Sequence, residues 1–267
     1  MMEKQKYDIV FVVLVYRNTD DLRDFFVHNH IRNSHTVVVN SFYDVISEGA
    51  LRKIAEENNA SFLSVPNKGY GTGNNRGVDY ALKYFVFDYL VISNADINIR
   101  EFDISIARKY DKSIIAPEIL SASGRKQNPC EPFKPLRIAH DLVYKAYKGN
   151  HNKLIWIYYA WCRLLRTIYI IMNCYNRASQ IYSAHGSFVI FPAGVLIKLA
   201  PLYNEKQFLM NEESHLAKKA LQKDIKTIYV KDIVIDHKED GSMSLEYKNE
   251  WPLLKQSFME FYEYWYK

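Results

Sequence analysis

The chain has 267 residues, of which 48% are hydrophobic and 24% charged, as is usual for a folded globular protein. These values exclude a disordered, collagen-like or disulfide-stapled chain, and the length favours one large domain or two small ones. The net charge of +5 is too small to indicate a nucleic-acid partner, although it is compatible with an anionic substrate or a membrane surface.

The first 117 residues alternate short β-branched runs with helical periodicity, which is typical of a parallel sheet with crossover helices. Strands are predicted at 9–15, 36–39, 61–65, 89–93 and 113–116, and helices at 20–30, 48–58 and 74–87. Ligands bind at the carboxyl ends of the strands in such sheets. The expected binding edge is therefore formed by the polar segments 16–20, 40–44, 66–75 and 94–98.

The second half begins with a proline-containing loop and a helical stretch, at about 136–176, that is rich in Tyr, Trp and Arg. We interpret this stretch as an inserted or accessory unit. Strands are predicted again at 187–191 and 226–236, on either side of an amphipathic helix at 211–222. The tail is helical and aromatic, and no internal repeat is present, which excludes a solenoid.

No membrane-spanning helix is predicted. The apolar run at 9–15 is too short for a signal peptide, and Arg163 and Arg166 interrupt the most apolar later stretch, 154–172. The aromatic and basic residues of that stretch fit a helix lying at a membrane interface, packing of the accessory unit onto the rest of the protein, or a dimer contact. Three cysteines at spacings that match no zinc template fit a reducing, cytosolic setting.

The segment 67–77, which reads Asn-Lys-Gly-Tyr-Gly-Thr-Gly-Asn-Asn-Arg-Gly, is a glycine-rich turn between the third strand and a helix. Glycines allow a ligand to approach the backbone, and a helix N-terminus offers free N–H groups to an anion. A nucleotide site and a tight turn without a ligand both remain open. A Walker loop is disfavoured because no lysine follows the glycines, and a dinucleotide fingerprint because the segment follows the third strand.

Three acidic or histidine positions could carry chemistry. Asp96 ends an apolar strand, where a Mg²⁺ or Mn²⁺ ion bridging a diphosphate needs an oxygen ligand, although a turn residue is the alternative. Glu212 and Glu213 open a helix, either because the helix dipole favours acidic residues there or because one of them is a general base. His237 ends the last strand and could bind a metal or phosphate, or be structural.

The order and spacing of these motifs resemble the inverting nucleotide-sugar glycosyltransferases of family 2, especially the branch with rhamnosyl- and other polysaccharide-building transferases. The similarity covers most of the chain and is weakest over 118–180. The asparagine- and glycine-rich segment of that branch is matched by Asn67, Gly69, Tyr70, Gly71, Asn74, Asn75 and Gly77. Asn94 and Asp96 match the metal motif of that branch, and Glu212 with Glu213 matches its base motif. The acceptor-side turn is matched by His185, Gly186 and Ser187, and the terminal element by His237, Gly241 and Ser242.

The resemblance implies an α/β protein with the GT-A fold, in which a Rossmann-like, mostly parallel central sheet is flanked by helices. It implies a single GT-A domain over 1–267, with a helical insertion at about 136–180 and an amphipathic helical tail at about 245–267. The implied donor-binding residues are Tyr16, Asn18, Asn40, Asn67, Gly69, Gly71, Asn74, Asn75, Arg76 and Asn94.

For the chemistry, the resemblance implies that Asp96 and His237 bind a divalent metal, Mg²⁺ or Mn²⁺. Glu213 is the favoured catalytic base and Glu212 the alternative. Three positions depart from the pattern of many relatives. Asn40 replaces an Asp at the nucleotide base, the metal motif has a single carboxylate, and Glu213 stands where relatives often have Asp.

The implied activity is hexosyl or rhamnosyl transfer, with inversion, from a UDP-, dTDP- or GDP-sugar to a glycan or lipid-linked oligosaccharide, in bacterial capsule, O-antigen or similar cell-surface polysaccharide biosynthesis. The expected location is the cytoplasm, with peripheral contact to the inner face of the cytoplasmic membrane and no nucleic-acid partner. A sugar-phosphate nucleotidyltransferase is an alternative, weakened because its basic glycine loop would follow the first strand. A non-catalytic scaffold of a polysaccharide assembly complex is another, kept open by Asn40 and the missing second carboxylate.

Overall fold

The computed structural model describes residues 4–238 and 251–267. Within these ranges a nine-stranded sheet has helices on both faces. The strands are β1 (Gln5–Val15), β2 (Ser34–Phe42), β3 (Ser61–Pro66), β4 (Phe85–Asn94), β5 (Ile97–Glu101), β6 (Ile114–Ser121), β7 (Ala178–Ile181), β8 (Phe188–Pro192) and β9 (Thr227–His237). The helices are α1 (Thr19–His28), α2 (Val45–Glu57), α3 (Tyr70–Tyr84), α4 (Ile104–Arg108), α5 (Arg137–Lys148), α6 (Asn152–Met172), α7 (Ala193–Leu199), α8 (Glu212–Gln222) and α9 (Trp251–Tyr266).

The first half of the sheet is parallel, in the order β3-β2-β1-β4. Val13 of β1 lies opposite Val38 on one side and Ser93 on the other. After β1 the chain adds β2 and then β3 on one side of β1. It then crosses back and adds β4 on the other side of β1, so the direction in which strands are added reverses between β1 and β4. Ligands of open α/β sheets bind at such a point, beyond the carboxyl ends of the strands.

The second half of the sheet is mixed, and the predicted parallel pairing is found in the first four strands and in the pair of β6 and β9. β8 lies antiparallel between β4 and β6, and β9 runs parallel to β6. The short strands β5 and β7 both pair antiparallel with β9. Neither was predicted, because polar residues make up about half of each segment, as is usual in a loop.

Both faces of the sheet are buried. Val10 and Val12 of β1 belong to a core cluster that includes residues of α3, α7 and α8, whereas Phe11 and Val13 belong to a second cluster with residues of α1 and α2. Burial on both faces explains why β1 reads as a continuous apolar run rather than an alternating one.

The accessory stretch, predicted to be helical, forms two helices, because the chain turns at 149–151 between α5 and α6. A small core joins α5, α6 and α9, in which Tyr144 stacks on Tyr262 with ring centroids 4.1 Å apart. Trp156 stacks on Trp251 at 5.4 Å. The first part of the predicted tail, 245–250, lies outside the described residues.

Helix α3 begins at Tyr70, four residues earlier than predicted, so most glycines of the 67–77 segment lie inside a helix. A Cβ atom on Gly77 would lie 2.3 Å from Val12 Cγ1 and 2.8 Å from Val39 Cγ2. This glycine therefore lets α3 pack closely on β1 and β2.

We expect Gly77→Ala to lower the free energy of unfolding by about 1–3 kcal/mol, because an added methyl group overpacks a filled core. Gly49→Ala is the matched control. Gly49 also lies within a helix, α2, but has no atom within 4 Å of the added Cβ. The control should be neutral or gain about 0.5–1 kcal/mol. Urea denaturation measures both, and equal effects would contradict the packing role of Gly77.

Candidate active site

Asp96 and His237 lie side by side at the carboxyl edge of the sheet. Asp96 occupies the turn between β4 and β5, and the antiparallel pairing of β5 with β9 sets Ile97 opposite His237. Both side chains are buried, and His237 Nε2 lies 3.2 Å from Asp96 Oδ2. The fold thus brings together the two predicted metal ligands, which are distant in sequence.

Gln127 orients the imidazole of His237. Its side-chain oxygen accepts a hydrogen bond of 2.8 Å from His237 Nδ1, which leaves Nε2 to face Asp96. Gln127 was not predicted, because it stands in a loop and belongs to no recognisable motif. A histidine ligand commonly donates its other ring N–H to such a partner, which fixes the tautomer.

The Asp96–His237 pair fits a divalent cation in part. Neighbouring ligands of an octahedral ion with bonds of about 2.1 Å stand about 3 Å apart, close to the 3.2 Å between His237 Nε2 and Asp96 Oδ2. Within the described ranges no cluster of three or more His, Cys, Asp or Glu side chains could hold a metal. An ion at this pair would therefore need further oxygen ligands from substrate or water.

The predicted acceptor-side turn, His185 to Ser187, lies directly beside this pair. The rings of His185 and His237 meet edge to face with centroids 5.7 Å apart. His185 Nδ1 lies 2.9 Å from Ser187 Oγ, and the Ser187 carbonyl accepts from Asn94 N at 2.9 Å. The turn is thereby fixed against the end of β4.

Glu213 approaches the same turn from the other side. Its Oε1 accepts a hydrogen bond of 3.2 Å from Gly186 N, and a Cβ on Gly186 would lie only 2.9 Å from that oxygen. A glycine at 186 therefore permits the close approach of the carboxylate. Just before α8, Met210 and Asn211 both have positive φ, 70° and 61°, and turn the chain sharply into the helix.

Glu212 and Glu213 form a coupled pair of carboxyl groups. Burial raises the pKa of both, and the charge of Glu213 further raises the pKa of Glu212. Glu212 is only 4% exposed and its Oε1 has no protein partner among the described residues, whereas Glu213 is half-buried. Glu213 is thus the more accessible of the two, and its hydrogen bond to Gly186 N opposes the rise in its pKa.

Glu131 is a further carboxyl group at this site that sequence reasoning missed. It follows Cys130 in the loop after β6, and Ser183 N donates to its backbone carbonyl at 2.9 Å. Burial raises the pKa of Glu131 to about 7, opposed by a hydrogen bond from Ser214, and the charge of Glu213 raises it further. An isolated glutamate in a proline-containing loop gives no sequence signal.

The 67–77 segment contacts the loop that leads to Glu213. Asn75 is buried and makes two hydrogen bonds to the backbone of Tyr203, through Nδ2 to the carbonyl at 2.9 Å and through Oδ1 from the amide at 3.1 Å. Arg76 pairs with Glu205 at 2.7 Å. The Tyr70 amide donates to the Phe208 carbonyl, so it is not free for an anion as the sequence analysis expected. Donor binding by this segment stays a prediction.

Gly69, with φ 102°, also lies against this loop, since a Cβ there would be 2.0 Å from the Phe208 carbonyl oxygen. Asn67 Oδ1 accepts from Gly69 N at 3.3 Å. Asn74 is fully buried, with Nδ2 donating to the Tyr70 carbonyl at 3.1 Å. A Cβ on Gly71 would meet Tyr203 Cβ at 2.7 Å.

The predicted site for the nucleotide base lies beyond β1 and β2. Asn40 is fully buried and donates to Ser64 Oγ at 3.1 Å, so it could reach a base only if its neighbours moved. Asn18 caps α1 by accepting from Asp21 N. Tyr16 packs edge to face on Tyr43 with centroids 5.7 Å apart.

Two residues of the predicted edge segments 16–20 and 40–44 were not among the implied donor-binding residues, although they lie beside Tyr16. The guanidinium of Arg17 lies 4.0 Å from the ring centroid of Tyr43, and Arg17 has a positive φ of 66°. Together with Tyr16 they offer an aromatic and cationic surface. The matches to Gly241 and Ser242 in the terminal element lie outside the described residues.

Comparison with known proteins bears on the fold. No family model matches the chain. The chain is 27% identical over 122 residues to the low-salt glycan biosynthesis hexosyltransferase Agl10 of Haloferax volcanii. The aligned segment covers 44% of this chain and 38% of that protein.

Two solved structures share the fold. GalNAc-T7 with UDP, GalNAc and Mn²⁺ has a TM-score of 0.56 and 10% identity, over 86% of this chain and 44% of that one. Residues 1–349 of S. aureus TarS in complex with UDP-GlcNAc have a TM-score of 0.54 and 12% identity, over 90% and 61%. The chain thus spans less than two thirds of the length of each of these three proteins. The predicted GT-A fold and the resemblance to glycosyltransferases are confirmed, and the rhamnosyl branch stays a prediction.

Proposed function

We propose that the chain is an inverting glycosyltransferase of family 2 that moves a sugar from a nucleotide-diphosphate-sugar to an acceptor hydroxyl. The observation that carries the proposal is a convergence. His237, which is paired with Asp96, and the carboxylate Glu213 both contact the turn from His185 to Ser187, at the carboxyl edge of the sheet. A divalent ion and a base acting on one reaction centre require this arrangement.

On the donor side, Asp96 and His237 would hold Mg²⁺ or Mn²⁺, which neutralises charge on the leaving diphosphate when bound. The edge beyond β1, with Tyr16, Arg17 and Tyr43, would take the nucleotide base. GalNAc-T7 and TarS, which share the fold, bind UDP and UDP-GlcNAc in their solved structures, which favours UDP-sugars over dTDP- and GDP-sugars as donors. The Haloferax relative is a hexosyltransferase, which supports transfer of a hexosyl group, a class that includes the deoxyhexose rhamnose.

On the acceptor side, Glu213 would take the proton from a hydroxyl group as its oxygen attacks the anomeric carbon. The bond from that carbon to the diphosphate breaks on the opposite face, which inverts the configuration in one displacement. The proton ends on Glu213 and the electron pair on the nucleoside diphosphate. Burial around Glu213 raises its pKa, which increases its affinity for that proton.

A cavity of about 770 Å³ next to the site is a candidate entry for the acceptor. Cys130, the neighbour of Glu131, lines it together with Tyr159, Arg163, Arg166 and Trp251. Aromatic rings stack on sugars, and guanidinium groups bind phosphates. A glycan or lipid-linked oligosaccharide fits this chemistry, as expected of an enzyme that builds bacterial cell-surface polysaccharide on the cytoplasmic side of the membrane.

The test is donor hydrolysis in the absence of acceptor, measured for UDP-, dTDP- and GDP-sugars with Mn²⁺ or with EDTA. We expect slow, metal-dependent release of one nucleoside diphosphate and a matching thermal shift. Binding without release would support a donor site and leave the acceptor as the substrate to be identified. No response to any nucleotide would contradict the proposal.

A further inference from the structure

One side of α6 exposes a continuous row of large apolar side chains. We call these six residues the α6 stripe: Leu154, Ile157, Trp161, Leu164, Ile168 and Ile171. Each is between 40% and 65% exposed. Their spacing alternates between three and four residues, which keeps them on one helix face over about 26 Å. Packing of the accessory unit onto the rest of the protein therefore does not account for these residues.

The opposite side of α6 is held by the protein. Ile155 and Tyr169 are its buried residues. Arg166 donates from Nε to the Pro129 carbonyl at 2.7 Å and from a terminal nitrogen to the Lys126 carbonyl. Among the described residues, α6 is the one helix long and apolar enough to cross a membrane, judged by length and composition alone. The sequence analysis expected Arg163 and Arg166 to exclude a membrane-spanning helix, and by this criterion they do not. Crossing would nevertheless break these contacts and place Arg166 in hydrocarbon.

The segment around α6 also concentrates positive charge. Residues 133–178 contain eight Lys or Arg and a single acidic residue, Asp141, for a net charge of +7. The whole chain carries +5, so the rest of the sequence is slightly negative. Helix α6 itself contains Lys153, Arg163 and Arg166 and no acidic residue. This combination of an apolar stripe with cationic flanks is typical of helices that lie in the headgroup region of an anionic membrane.

We infer that the α6 stripe binds the surface of an anionic bilayer, with α6 lying in the plane of the interface. A second copy of this chain is the competing occupant, because a row with this spacing can also pair helix to helix. Pairing two copies through α6 would bring two cationic surfaces together with no acidic partner on either helix. Anionic lipid headgroups supply the charge that a second copy lacks.

The contact would hold the candidate active site near the membrane. Arg166 binds the Pro129 carbonyl, and Glu131, two residues on, pairs with the backbone of Ser183 just before the turn at His185. The membrane face and the acceptor-side turn are thus joined through one short loop.

The test is flotation of the full-length chain with vesicles of phosphatidylcholine, with and without phosphatidylglycerol. We expect binding only to vesicles that contain phosphatidylglycerol, weakened by high salt because charge attraction is screened. The double variant Ile157→Glu/Leu164→Glu should bind about tenfold or more weakly, since two carboxylates would enter the interface. This readout does not depend on enzymatic activity.

The matched control is Val45→Glu/Ile46→Glu. These residues of α2 are 77% and 86% exposed, and the control adds the same two negative charges away from α6. It should float like the wild-type protein, and thermal melting should show that both double variants are folded. Equal binding by the two variants, or no binding of the wild type to phosphatidylglycerol, would overturn the inference. So would a wild-type dimer in size-exclusion chromatography that the α6 variant converts to a monomer.

Discussion

Glu213→Gln should lower turnover about 10²- to 10⁴-fold, the usual contribution of a positioned general base. The amide keeps the shape of the side chain but cannot take the acceptor proton. Donor binding should stay close to that of the wild type, because Glu213 contacts Gly186 on the acceptor side rather than the metal-ligand pair. Single-turnover transfer and a donor titration by calorimetry measure the two quantities separately.

Glu212→Gln is the matched control for this change. Glu212 is buried with a raised pKa, so it is largely neutral already, and its replacement by a neutral amide should have the smaller effect. A larger loss for Glu212→Gln would reverse the two roles. The pH profile is a second readout. Because the base must be ionised and burial raises the pKa of Glu213, activity should fall with decreasing pH at a higher pH than for an ordinary glutamate. Glu213→Gln should abolish that dependence.

Asp96→Ala should abolish the enhancement of donor binding by Mn²⁺ and lower turnover by about 100-fold or more, because a metal ion contributes several kcal/mol of charge stabilisation. Asp96 is the single carboxylate of the predicted metal pair, and His237 alone cannot replace it. Calorimetric titration of the nucleoside diphosphate with and without Mn²⁺ gives the metal-dependent part of the affinity.

Asp236→Ala controls for the loss of a carboxylate at the same edge. Asp236 precedes His237 in β9, but its side chain pairs with Arg100 at the surface. We expect this variant to retain the response to Mn²⁺. If Asp96→Ala retains it as well, the ion does not bind at this pair, and if Asp236→Ala also loses it, the effect is one of local structure.

The strands β1 and β2 were predictable because each contains a run of β-branched residues buried on both faces. The mixed order of the second half was not. The residues of β8 and β9 show that they form strands but not which neighbours they pair with, and β5 contains too many polar residues to be distinguished from a loop. Direction within a sheet depends on contacts between residues far apart in sequence.

The residues of the candidate site were likewise predictable only in part. Asp96, Glu213 and His237 were found because they stand in motifs with a recognisable order. Gln127 and Glu131 were missed because each acts through a contact formed only in the fold, with His237 and with Ser214. The glycines at 69–77 correctly indicated that something approaches the backbone closely there. The sequence does not show whether that is a ligand or, as at Gly69, another segment of the protein backbone.

The backbone of Gly186 has a bearing on how mutational data for this protein should be interpreted. Its N–H binds Glu213, and its carbonyl accepts from Tyr70 Oη at 2.8 Å, so α3 and α8 share one anchor. Asn75 binds the loop that leads to the same carboxylate. In an alanine scan, replacements in α3 that touch no substrate would therefore register as lost turnover. Loss of activity alone will not distinguish residues that bind substrate from residues that only position Glu213. Double variants with Glu213→Gln will distinguish them, because a residue that acts only through Glu213 should cause no further loss in that background.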